Sequence, residues 1–433
     1  DRLSSDSQHK ANAQFLRGEI LMRAGRGIDE ALAAFKLAAA EKPKMVNAHV
    51  AIIGIEVSRG RLNDAQQQLQ AFRQALPQHP QVLYTAAQLA YIAADYPKAR
   101  DALTQLLKGY PDVAALRTFA GVTQFKLGQV LQAESNLAKA VQLEPKLALA
   151  REYLARVYLR MGQPDRALVV LAPLIGPGRS SPEALAVAGQ AHLLSGQFAR
   201  AEAMFAEALK IKPNDSAVQT SAALALLAKG RSEEGLRSLQ AVSEKDAGVV
   251  ADQAIVSARM LRGEHVQALG AIDRIDRKLP NDPLASELRG RVLRVKGDLA
   301  GARAAFEGAL KIQPAYFAAT RQLVAMALSA KDPELARRYL DAAVLANPAN
   351  ADARLALIDV RSRNGEKREE IGALVKAAVD ANPTHVPTRL RQIGHFATLR
   401  DSKQRLAAAQ DAVAAVPDDV DLLGALGDAQ LAS

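Results

Sequence analysis

The sequence predicts an all-α solenoid of about twelve helix-turn-helix units. Two observations predict it: a small residue that returns about every 34 positions, and a proline that returns twelve positions after it. Stepping by 34 from Ala31 gives Ala65, Ala99, Ala133, Ala167, Ala201 and Gly235; after one step of 33 come Ala268, Ala302 and Ala336, and then Ile371 and Arg405. Alanine is about one residue in five, so chance would place two or three alanines among twelve such positions, and nine are present. A repeat of this length is one supersecondary unit, too small to bury its own apolar face and stable only when stacked on neighbours.

The prolines mark where the units turn. Pro43, Pro77, Pro111, Pro145, Pro213, Pro280, Pro314, Pro348, Pro383 and Pro417 follow the small residue by twelve and are missing only in the fifth and seventh units. Proline lacks the amide donor and clashes with the preceding turn, so each ends a helix and forms a corner between units. Five positions before the small residue stand Gly60, Gly128, Gly162, Gly196, Gly230, Gly263 and Gly297. Glycine there suits a tight turn with positive φ between the two helices of one unit.

Between these marks apolar residues keep a helical spacing. Phe35, Leu69, Leu103, Leu137, Leu171, Phe205, Leu239, Ile272, Phe306 and Leu340 follow the small residue by four and share its helix face. The small residue lets two helices approach, and the large one fills the gap to the next unit.

Two places break the pattern. Gly176-Pro177-Gly178-Arg179-Ser180-Ser181-Pro182 replaces the fifth corner with a longer loop, and the seventh unit carries Gly235 and a corner of Glu244-Lys245-Asp246-Ala247-Gly248. Both are read as candidate bends. The organisation expected is an N-terminal extension at 1–10, repeats one to five over 11–179, repeats six and seven with irregular corners over 180–247, and repeats eight to twelve over 248–433. The last two units match least well, as terminal repeats do when one side has no neighbour.

Composition agrees with folding along the whole length: 49% of residues are apolar and 24% charged. A formal charge of +10 favours anionic partners, but its 56 basic residues are interspersed with 46 acidic ones, and no run of like charge marks a nucleic-acid arm. The absence of cysteine removes disulfides, thiolate metal sites and cysteine nucleophiles. No stretch approaches the roughly 20 continuous apolar residues of a spanning helix. The chain begins at Asp1 rather than Met, so an initiator, a signal peptide or a larger N-terminal portion is expected to have been removed, and targeting evidence with it.

Small residue, turn glycine, large apolar residue and corner proline at these offsets resemble the tetratricopeptide repeat (TPR) family over nearly all of residues 11–433. The resemblance implies paired antiparallel helices stacked into a right-handed superhelix, with the first helix of each pair lining a concave groove that holds peptides or partner proteins. A narrower resemblance rests on Leu288-Arg289-Gly290, Gly297-Asp298-Leu299-Ala300-Gly301-Ala302-Arg303-Ala304-Ala305-Phe306, Gln313-Pro314-Ala315-Tyr316-Phe317-Ala318-Ala319 and Pro417-Asp418-Asp419. These segments are similar to the TPR-repeat lipoprotein of the PEP-CTERM/exosortase system, which implies exopolysaccharide production and export on the periplasmic side of a bacterial envelope; a cytoplasmic location is the alternative. Those proteins are lipid-anchored through an N-terminal cysteine, so any membrane association here would rest on an anchor outside this chain.

Catalytic signatures are absent from the sequence. The seven histidines show no HExxH or other metal spacing, and there is no GxSxG elbow, GxxxxGK[ST] loop or GxGxxG after a strand. Adjacent acids such as Glu233-Glu234 and Glu369-Glu370 point apart on a helix. No enzyme activity, cofactor or metal is expected.

The family's inward positions lie 15, 11, 8 and 7 residues before each small residue, and two patches follow from projecting them onto this chain. The third and fourth units place Tyr84, Gln88, Tyr91, Phe125 and Lys126 there, an aromatic lining with polar tips suited to peptide side chains or sugar rings. The fifth places Glu152, Arg156 and Arg160, and the ninth and tenth place Glu287, Arg291, Arg294 and Arg321. Arginine forks hold carboxylates in pairs; equally, these arginines can pair with neighbouring acids. Neither patch matches the Lys/Asn clamp of chaperone-tail TPR domains.

The expected function is a non-catalytic interaction scaffold of an envelope assembly. It would bind protein or peptide segments, and also anionic polysaccharide. The alternative is a substrate-presenting TPR array of a larger enzyme such as a glycosyltransferase. RNA binding is disfavoured by an aromatic content of 4% and by the absence of a base-reading pair repeated from unit to unit.

Overall fold

The computed structural model describes residues 7–25, 27–176, 180–417 and 419–433. Among them every regular element is helical, and the chain divides into two compact units, residues 1–232 and 233–433.

The first unit stacks six hairpins: α1 (Ser7–Arg23) with α2 (Ile28–Glu41), α3 (Val46–Ser58) with α4 (Leu62–Ala75), α5 (Pro80–Ile92) with α6 (Tyr96–Gly109), α7 (Ala114–Lys126) with α8 (Val130–Leu143), α9 (Ala148–Arg160) with α10 (Pro164–Leu171), and α11 (Pro182–Leu194) with α12 (Phe198–Ile211). It closes with α13 (Ser216–Ala228). The second unit begins in α14 (Ser232–Lys245). It continues with α15 (Val250–Leu261) and α16 (His265–Lys278), α17 (Pro283–Lys296) and α18 (Leu299–Ile312), α19 (Phe317–Ser329) and α20 (Pro333–Ala346), α21 (Ala351–Arg363) and α22 (Arg368–Ala381), and α23 (Val386–Thr398) and α24 (Ser402–Ala415), ending in α25 (Val420–Leu431). Helix α1 starts at Ser7, inside the segment 1–10 expected as an extension; residues 1–6 lie outside the described residues.

The repeat marks fall where their chemistry requires. Second helices end two residues before each corner proline, as at Glu41 before Pro43 and Ile312 before Pro314. All seven turn glycines have positive φ, from 69° at Gly162 to 91° at Gly297. Ala94, Lys331 and Arg400 occupy the same turn position without a glycine and still adopt φ of 57°, 58° and 55°, a left-handed conformation that strains a residue bearing Cβ. Of the fifth corner, Pro177, Gly178 and Arg179 lie outside the described residues; before them α10 ends in a 3-10 turn, Ala172–Leu174. Asp418, in the segment Pro417-Asp418-Asp419, is also outside them.

In each unit the core is a row of side chains from the second helices. The small residues from Ala31 to Ala201 and from Ala268 to Ala336 are fully inaccessible, and so are Leu103, Leu137, Leu171, Phe205, Leu239, Ile272, Phe306 and Leu340. Each such large side chain contributes about 2–3 kcal/mol by leaving water. The exception is Leu69, which is half-buried. In its unit Phe72, three residues on, is fully buried and stacks on His49 at 4.8 Å with the rings 8° apart.

Four of the rings and side chains in this row need a glycine opposite. A Cβ on Gly18, Gly121, Gly189 or Gly290 of a first helix would lie about 2.5 Å from Phe35, Leu137, Phe205 or Phe306 of the following second helix. Those glycines are spaces for the neighbouring side chain. The irregular seventh corner has a polar substitute for proline: Asp252 is fully buried and accepts from Ser243 Oγ at 2.6 Å, Arg274 Nε at 2.9 Å and Lys278 Nζ at 2.7 Å. Lys278 Nζ also donates to the carbonyls of Ser243 and Gly248, tying the corner from inside.

Candidate functional site

In the first unit the first helices α5, α7 and α9 bring the expected aromatics together. Tyr84 and Tyr91 lie seven residues apart on α5, on one helix face, and both meet Phe119 of α7 edge-on at 6.0 and 5.5 Å. Tyr91 also meets Tyr96 at 5.2 Å, and Phe125 meets Tyr153 of α9 at 5.8 Å. Burial pushes the Tyr91 phenol above its usual range, with the neighbouring Tyr153 and Tyr96 adding to the shift. Tyr91, Phe125 and Tyr153 pack against the same buried cluster and so form one ridge.

Arg156 and Arg160 lie on this ridge. Arg160 covers the Phe125 ring at 4.6 Å and donates from Nη1 to the Phe125 carbonyl at 3.0 Å; Arg156 covers the Tyr153 ring at 5.0 Å. Neither forms an ion pair with a carboxylate among the described residues. A guanidinium stacked on an aromatic face keeps its remaining N–H groups in plane and free to donate. Gln88 and Lys126 are exposed beside the ridge, while Glu152 is buried and accepts from Ser181 Oγ at 2.8 Å.

Phe119 and Tyr153 were not among the projected positions. Each lies fourteen residues before its small residue, Ala133 and Ala167, one place from a projected position, and their shared offset was the available signal.

Next to the ridge, between α3, α5 and α7, opens a cleft of about 490 Å³ lined by Val50, Ile53, Gly54, Val57, Leu89 and Ile92, with Thr85, Gln88, Tyr91 and Phe119 as its polar and aromatic wall.

In the second unit the arginines have different surroundings. Arg291 Nε is 4.0 Å from buried Glu287, whose carboxyl is pushed up by burial and only partly drawn back by Arg291 and Arg321. The internal carboxylate thus occupies part of the charge of these two arginines. Arg294 instead lines a separate cleft of about 740 Å³ with Arg303, Ala304, Met326 and Glu307, and Glu307 accepts from Tyr339 Oη at 2.6 Å. Among the described residues no group of three or more His, Asp or Glu could hold a metal ion, and no helix is long and apolar enough to cross a membrane.

Two family models described as tetratricopeptide repeat match the chain, one over residues 124–191 and 192–258, the other over 55–114, 84–148, 262–317 and 327–386. A tetratricopeptide repeat protein from Parabacteroides merdae is similar in fold at 18% identity and a TM-score of 0.45, covering 54% of this chain and 93% of its own. A chain of the APC/C hetero-tetramer Cut9-Hcn1 is similar at 13% identity and a TM-score of 0.36, covering 99% of this chain and 97% of its own. No curated protein matches the sequence. With matches running from residue 55 to residue 386 and helical hairpins of the expected register throughout, the chain belongs to the tetratricopeptide repeat family.

Proposed function

We propose that this protein is a non-catalytic interaction scaffold that holds a segment of a partner protein along the first-helix face of its first unit. The observation that carries this reading is the ridge of Tyr84, Phe119, Tyr91, Tyr153 and Phe125 with Arg156 and Arg160 stacked on it and, among the described residues, in no ion pair with an acid. Rigid aromatic side chains give contact area at low entropic cost, and arginine adds directed donors, the combination that dominates protein recognition surfaces.

The setting we propose is an assembly of the bacterial envelope, on its periplasmic side, serving exopolysaccharide production or export. Support comes from the resemblance carried by Gly297–Phe306 and Gln313–Ala319, and from a net charge of +10 suited to anionic partners, polysaccharide included. The test is a pulldown from envelope extract with the purified chain, beside Arg156→Glu/Arg160→Glu and Arg291→Glu/Arg294→Glu variants of equal helicity. The expected result is a partner retained by the parent and by the second variant but lost from the first. Equal retention by all three overturns the ridge as the binding face, and no retention by the parent overturns the envelope setting.

A further inference from the structure

Gly54 stands in the middle of α3, eleven residues before Ala65, at an exposed position where glycine weakens a helix. Unlike Gly18, Gly121, Gly189 and Gly290, it makes room for no neighbour: a Cβ added there would meet nothing within 4 Å. The space over it is the cleft between α3, α5 and α7. Thr85, also lining that cleft, is 3% exposed and its hydroxyl is covered. Tyr91 and Phe119 close one side with ring surface, and Gln88 adds an exposed amide at the rim.

We propose that this cleft is an anchor pocket for one aromatic side chain of the partner, carried by a segment whose acidic residues reach Arg156 and Arg160. The proposal rests on the ridge reading above and names the chemistry of what is bound there. An aromatic occupant gains edge-to-face contact with Tyr91 and Phe119 and covers Val50, Ile53 and Val57. Tyr91 belongs to both cleft and ridge and packs against the same buried cluster as Tyr153, on which Arg156 is stacked, so the pocket leads into the cationic surface. Charge complementarity therefore selects an acidic segment over a neutral one.

The probe is a phage-displayed library of random 12-residue peptides panned on the full chain, with the enriched peptides then synthesised and their affinities measured. The expected consensus is an aromatic residue with Asp or Glu beside it. Gly54→Leu, which fills the cleft from a position with no internal neighbour, should weaken these peptides at least tenfold, and Arg156→Glu/Arg160→Glu should do the same. Gly54→Leu should melt no lower than the parent, because glycine at that exposed helical position weakens the helix and an added Cβ meets no neighbour within 4 Å, which separates blocked binding from a folding defect. A consensus without an aromatic residue, or unchanged affinity for Gly54→Leu, overturns the anchor pocket. Loss of affinity in the arginine variant with Gly54→Leu unaffected overturns the pocket and leaves the ridge standing; indifference to both sets of substitutions overturns the pocket and the ridge together.

Discussion

Arg354 Nε donates to the carbonyl of Pro348 at 2.6 Å, closing the corner between α20 and α21 from the following helix. The same bond, from a side chain to the proline carbonyl six residues back, is made by Arg117 to Pro111 at 2.8 Å, Arg151 to Pro145 at 2.6 Å and Arg389 to Pro383 at 2.8 Å. Gln219 makes it to Pro213 at 2.7 Å, and a ring nitrogen of His49 lies 2.7 Å from the Pro43 carbonyl. Proline ends the second helix, and its carbonyl then needs a donor that the helix no longer provides. The latch satisfies it and fixes the direction of the next first helix.

Replacing Arg354 or Arg389 with Met keeps the stem and removes the donor. Each substitution should lower the stability of its unit by about 1 kcal/mol, the usual net contribution of a hydrogen bond, and the two together should add, because they serve different corners. Urea unfolding followed by circular dichroism checks this. No change in midpoint for either variant would show that water replaces the latch without loss.

The turn position gives a prediction of opposite sign. Ala94, Lys331 and Arg400 hold φ between 55° and 58° where seven other units use glycine. Ala94→Gly, Lys331→Gly and Arg400→Gly should each raise stability by roughly 0.5–1 kcal/mol, since relief of the left-handed strain exceeds the added freedom of the unfolded chain. Gly263→Ala should lose a comparable amount. Thermal melts of the four variants test both directions at once.

At the twelfth repeat mark Arg405 stands where most units have a fully buried alanine. Its side chain is half-buried, and Nε, itself inaccessible, has no hydrogen-bond partner among the described residues. Arg405→Ala should therefore raise the stability of the α23–α24 hairpin by about 1 kcal/mol, by removing an unsatisfied buried donor and restoring close approach. Native-state hydrogen exchange over residues 386–415 reads the local effect. Faster exchange there would mean that the arginine stem packs better than alanine.

The repeat, its corners and its turns were legible because each is a one-residue signal with one physical cause: proline lacks a donor, glycine tolerates positive φ, alanine permits contact. The latch was hidden because arginine, glutamine and histidine all perform it, so no single letter recurs. Leu69 and Phe72 exchanged roles for a related reason, since both suit the apolar slot and only packing against His49 decides between them. Of the candidate site, Tyr84, Tyr91, Phe125, Arg156 and Arg160 were placed on the first-helix face by offset alone. Offset could not tell that Arg156 and Arg160 would stack on rings while Arg291 and Arg321 face a carboxylate, because that depends on which neighbour the next hairpin brings. The cleft over Gly54 was invisible for the same reason: an empty space has no residue to announce it.

The buried cluster at the seventh corner makes stability depend on pH. Burial by itself raises the Asp252 carboxyl, but the hydrogen bonds from Lys278, Ser243 and Arg274 outweigh it and leave Asp252 below the ordinary carboxylate value of 3.8. A carboxyl depressed in the folded state binds its proton more readily when unfolded, so its contribution is present above the unfolded value near pH 4 and is lost as pH falls through the folded value. Asp252→Asn removes the charge while keeping the shape and leaves Lys278 and Arg274 facing a neutral amide. The variant should be less stable than the parent by about 3 kcal/mol at pH 7, and the difference should shrink steadily below pH 4. Denaturant unfolding at a series of pH values from 7 to 2.5 measures it. A difference that stays constant across that range would mean that the corner is held by packing and by the Lys278 bonds to the Ser243 and Gly248 carbonyls, with the Asp252 charge making no net contribution.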